Sequence, residues 1–223
     1  MVSGAARLIP RWYVVTVLAA LTLVTLALAG TTAAFADDLA GRSMWGLVAA
    51  TGLLLVAAVS SLARRRRPRE PEVTADGTRV FRAPALTVWP LAGAWLALLV
   101  TAGIWAHIAF TDFDALESPG FSLVTIVGAV ASLPALVRLL TGRLHRWTLE
   151  LGPEALTYRG YGTDLTAAWK DVKGAAIQRR GPAGVRIDLR GDATDPVVPI
   201  TAFDVPAEQL VEEIVRARRI SRR

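Results

Sequence analysis

The side chains able to do chemistry are few and scattered along the chain. Cysteine is absent, which excludes disulfides, thiolate metal sites and thiol nucleophiles. The two histidines, His107 and His145, fall at opposite ends of apolar segments and cannot share a metal ion. His107 precedes Asp112 and Asp114 and reads as an interfacial or capping residue, and His145 beside Arg146 as a head-group contact. No glycine-rich phosphate loop, catalytic carboxylate pair or serine–histidine arrangement appears. The residues therefore point to no enzyme, no cofactor and no small-molecule substrate.

The conspicuous polar feature is arginine. Arg64, Arg65, Arg66, Arg67 and Arg69 follow an apolar run and precede Glu70 and Glu72, with Pro68 and Pro71 among them. Nucleic-acid binding would need a folded basic face or interleaved aromatic residues, and this segment has prolines and glutamates instead. A basic run at the end of a membrane helix resists translocation and fixes topology. It also attracts anionic head groups by about 1 kcal/mol per residue near the surface.

The elements around this run are apolar to an extent unusual for a soluble domain, with 53% hydrophobic residues in 223. Four stretches suffice to cross a bilayer: Tyr13–Ala29, Met44–Leu62, Ala85–Phe110 and Phe121–Leu140. The flanking charge alternates. Arg7 and Arg11 precede the first stretch and Asp37 and Asp38 follow it, the arginine run follows the second, Asp112, Asp114 and Glu117 the third, and Arg143 and Arg146 the fourth. This alternation predicts a multi-pass protein of the plasma membrane with both termini cytoplasmic, and Arg64, Arg65, Arg66, Arg67 and Arg69 as its topology determinants. Trp12, Tyr13 and Trp89 are expected as inner interfacial anchors, and Trp45 and Trp105 as outer ones. An alternative reading of residues 1–36 is a signal peptide cleaved after Ala36. The spans carry no mid-membrane charge of the kind that marks a transport path. Gly93 with Ala97, and Gly128 with Ser132, have the spacing of close helix contacts.

After Trp147 the hydrophobic period changes from helical to alternating. WTLELGPEALTY reads as two strands joined at Gly152-Pro153, and TDLTAAWKDV, GAAIQRR, GVRIDLR and PVVPI as further strands. VPAEQLVEEIVRARRI then has an apolar face of Leu210, Val211, Ile214 and Val215. Roughly six antiparallel strands and a C-terminal helix form a small α+β module. Its core is expected to hold Trp147, Trp169 and Val172, with Asp171 turning the chain, and the tail is expected to fold alone. The domain boundaries read as an N-terminal transmembrane hairpin (1–62), an arginine-rich cytosolic linker (63–84), a second transmembrane hairpin (85–141) and the cytosolic module (142–220).

The order LELGPEALTYRGYG, AAWKDVKGAAI, PITAFDVPAEQL, with the lead-in VFRAP at 80–84 and the last two spans, resembles the bacterial pleckstrin-homology (PH)-like domains. The resemblance is to the actinobacterial, membrane-anchored kind. It implies a four-helix membrane protein with a PH-like domain and a binding role without catalytic residues. Eukaryotic members of this fold bind phosphoinositides through basic residues at the first strand turn, whereas here that turn carries Glu150 and Glu154. Arg179 and Arg180 at a hairpin tip, with Lys170 and Lys173, form the candidate binding cluster. The expected function is an interaction or assembly module at the inner membrane surface. Its expected partners are membrane lipids and another membrane protein or a second copy, and nucleic acid is not among them. The alternatives are a transporter or channel accessory subunit and an anionic-lipid-sensing module.

Overall fold

The computed structural model describes residues 9–35, 38–63, 66–116, 118–144, 146–160, 163–178, 183–191 and 195–221. The chain divides into two compact units, one formed by residues 12–60 and 85–140 and the other by 61–84 and the chain from 141 onward.

The first unit is helical. α1 spans Arg11–Phe35, the short α2 Leu39–Ser43, α3 Trp45–Ala58, α4 Ala85–Thr111 and α5 Pro119–Leu140. α3 runs on into a π-helical turn, Val59–Ala63. Four helical stretches, 11–34, 39–63, 85–111 and 119–140, are long and apolar enough to cross a membrane. They are apolar all round and leave Val15, Leu23, Leu96, Val124 and Val127 exposed, a pattern that suits a nonpolar solvent and not water.

The most extensive helix contact joins α3 to α4, which the sequence reading assigned to different hairpins. Small residues permit it: Ala50, Ala57, Ala94 and Ala102 are buried. A Cβ at Gly46 would lie 1.9 Å from Thr101 Oγ1, so only glycine fits there as the structure stands. Hydrogen bonds hold both ends. Ser60 Oγ lies 3.0 Å from Thr87 Oγ1, and Trp105 Nε1 donates to Ser43 Oγ at 2.6 Å. Trp105 is thus buried at 3% exposure and does not serve as an outer anchor. Its indole N–H finds a partner inside the helices, which removes the need for interfacial water. Of the two small-residue pairs, Gly93 approaches Leu53 Cδ1 at 3.1 Å for a Cβ built there, while a Cβ at Gly128 meets nothing within 4 Å.

The second unit contains two antiparallel sheets and a helix. The first sheet has the order β1 (Glu72–Val73), β2 (Arg79–Arg82), β3 (Thr148–Leu151), β4 (Ala155–Gly160), β5 (Thr163–Ala168). The second has β6 (Val172–Gln178), β7 (Gly184–Leu189), β8 (Val197–Pro199), and the chain ends in α6 (Ala207–Ile220). Leu149, Leu151, Leu156 and Tyr158 alternate inward from β3 and β4, and Leu210 and Ile214 join the same core from α6, which packs against β6 and β7. Trp147, Trp169 and Val172 are in this core, at 6%, 3% and 0% exposure. Asp171 N–H donates to Ala168 at 2.8 Å, closing the turn between the sheets.

Residues 63–84, read from sequence as a linker, contribute two strands to this unit. β2 pairs with β3 in the register Val80↔Glu150 and Phe81↔Leu149, and Phe81 packs in the core with its ring 6.2 Å from that of Phe203. The tail from 142 therefore lacks part of its own core. Flanking arginines mask the strand signal of RVFR, which is too short for a period to emerge.

Candidate functional site

The arginine-rich segment is built into the α+β unit. The Arg66 guanidinium donates from Nε to the Phe203 carbonyl at 3.1 Å and from Nη2 to the Ser61 carbonyl at 2.7 Å. Burial pushes its pKa down, opposed by the nearby Asp204 carboxylate, and a guanidinium stays charged regardless. Arg69 reaches Asp204 at 3.3 Å. Its backbone N–H donates to Gln209 Oε1 at 3.1 Å while the Gln209 amide donates back to the Arg69 carbonyl. Arg79 pairs with Glu213, a carboxylate buried on α6 that Arg216 also approaches at 3.5 Å. Arg67 is exposed, and Arg64 and Arg65 lie outside the described residues.

Gln209 and Glu213, one turn apart, therefore form a polar stripe that takes up the segment after α3. The apolar face read from sequence for α6, Leu210, Val211, Ile214 and Val215, does not include Glu213. The signal missed was that Glu213 adjoins Ile214 and follows Leu210 by three, so it borders the buried face.

The candidate binding cluster is only partly visible. Lys170 sits exposed in the turn before β6 and Lys173 exposed near that strand's start. Arg179 and Arg180 lie outside the described residues and follow Gln178, the last residue of β6.

The first strand turn offers no basic pocket among the described residues. Gly152 N–H donates to Ala155 at 3.0 Å, and the Gly152 carbonyl accepts from Trp169 Nε1 at 2.9 Å. The Glu154 carbonyl accepts the Trp169 backbone N–H at 3.2 Å. Polar backbone groups that would face a head group are thus engaged by the core tryptophan, and Glu154 projects a negative charge there.

Among the described residues no group of three or more His, Asp or Glu side chains is placed to hold a metal. His107 is exposed on α4, and His145 lies outside the described residues. No protein-family model matches the sequence, and no curated protein and no solved structure matches it.

Proposed function

We propose that this chain is an integral, multi-pass protein of a bacterial plasma membrane that presents a PH-like domain in the cytosol as an interaction or assembly module. The observation that carries the reading is the pairing of β2 with β3. A strand between the second and third apolar helices and a strand after the fourth can join one sheet only if they share one side of the membrane. α4 and α5 then cross as a pair. The arginine run assigns that side to the cytoplasm by the positive-inside preference. With its first turn occupied by Trp169 and flanked by Glu154, the domain is better suited to a protein partner than to a phosphoinositide.

The absence of cysteine makes the topology directly testable. Single-cysteine variants Asp114→Cys and Lys173→Cys, treated in intact cells with a membrane-impermeant maleimide, should label at position 114 and remain unlabelled at 173 until the cells are opened. Labelling of position 173 from outside would reverse the assignment. For the partner, photo-cross-linking residues at Lys170 and Lys173 should give a discrete protein adduct in cells. Cross-links confined to lipid would favour the lipid-sensing alternative.

A further inference from the structure

The helical unit contains two cavities that meet at one side chain. One, of about 500 Å³, lies between α1, α3, α4 and α5, with Leu28, Leu54, Trp95, Leu98, Gly128 and Ala129 in its wall. The other, of about 270 Å³, lies at the loop end of the same helices and includes Thr31, Trp105, Ser118 and Ser122. Phe121 borders both, and its ring stands 5.8 Å from that of Trp105.

The two compartments differ in chemistry. The larger is almost entirely apolar, and the smaller gathers hydroxyl groups. Ser122 is 5% exposed as a residue, and its side chain lines the cavity with its hydroxyl making no hydrogen bond among the described residues. Thr31 already donates to the Ala27 and Leu28 carbonyls, at 3.1 and 3.0 Å, which leaves its oxygen free to accept. Among the described residues no Asp, Glu, Lys or Arg lines either compartment. A charged head group would find no countercharge among those residues. Together the compartments have the size of ordinary ligand sites, which run from roughly 300 to 1,000 Å³.

We infer that they form one site for a single-chain lipid amphiphile with a small, uncharged, hydroxyl-bearing head, such as a monoacylglycerol. The chain occupies the space around Trp95 and Gly128, and the head meets the Ser122 donor and the Thr31 acceptor beside Phe121. The site rests on the helices alone, so it stands or falls separately from the role of the α+β domain.

The test uses the full chain in nanodiscs titrated with a brominated monoacylglycerol, whose bromine quenches nearby indole fluorescence. Saturable quenching is expected, and Trp95→Phe should reduce it by removing the reporter in the larger compartment, leaving Trp105 at the head. Gly128→Leu should abolish it by projecting a side chain into the larger compartment that Gly128 lines, since a Cβ built there meets nothing within 4 Å. Leucine also favours the helix, and an unchanged melting curve would verify the fold. Ser122→Ala should weaken binding roughly threefold to tenfold, the worth of one hydrogen bond. Quenching that rises linearly with probe and ignores Gly128→Leu and Trp95→Phe is bulk partitioning and overturns the site. Equal competition by a lysophospholipid with an anionic head overturns the assigned ligand class.

Discussion

Phe81 and Leu149 face each other across β2 and β3, although α4 and α5 separate them in sequence. The hydrophobic core of the α+β unit is thus shared between an interhelical segment and the C-terminal tail. Phe81→Ala should destabilise the unit by about 3–5 kcal/mol, the usual range for deleting a buried phenyl ring. A fragment beginning at residue 142 should remain unfolded by circular dichroism. The same fragment preceded by residues 66–84 on a flexible linker should fold, and independent folding of the shorter fragment would refute the shared core.

Trp169 joins the two sheets and donates to Gly152. In the linker-joined domain, Trp169→Ala should cost about 3–5 kcal/mol in urea unfolding. Trp169→Phe keeps most of the ring volume and loses the hydrogen bond, so it should cost about 1–3 kcal/mol.

Glu213 depends on Arg79 for its charge balance, with Arg216 as a more distant substitute. Arg79→Met should destabilise the domain by about 1–3 kcal/mol because it leaves a buried carboxylate underpaired. The double variant Arg79→Met with Glu213→Met should recover part of that loss. A double-mutant cycle with no coupling would show the pair to be energetically silent.

Asp76, in the turn between β1 and β2, accepts from both Thr74 and Thr78 hydroxyls, the latter at 2.7 Å. These bonds hold its carboxyl down at about 2, below the ordinary value near 3.9. The depressed folded value means that its contribution to stability is present above the unfolded value and is lost as pH falls towards about 2. Its carboxyl carbon shift in NMR should titrate accordingly, and Thr74→Val should move the midpoint back up.

Gly46 touches Thr101 so closely that Gly46→Ala must displace the threonine hydroxyl from its 2.9 Å bond to the Ala97 carbonyl. The variant should lose about 1–3 kcal/mol of stability in detergent, as overpacked contacts do. Thr101→Ala in the same chain should restore much of it.

The long elements were readable because their periods are long. The four apolar stretches and α6 each run through several turns, and the tail's six strands are punctuated by turn residues such as Gly152-Pro153 and Asp171. What escaped reading depends on single contacts. RVFR is a strand because β3 offers it an edge, Trp105 is buried because Ser43 accepts its N–H, and Arg66 and Arg69 are structural because Phe203, Asp204 and Gln209 await them. None of these partners is near in sequence, and no local pattern encodes them.

Discontinuity of the sheet also sets an order of events during synthesis. β2 leaves the ribosome well before β3 exists, so Phe81 has no partner until α4 and α5 have both been made. If that helix pair enters the bilayer in the wrong sense, β2 and β3 end on opposite sides and the sheet cannot close. Phe81 and the β2 edge would then stay exposed, a state open to proteolysis.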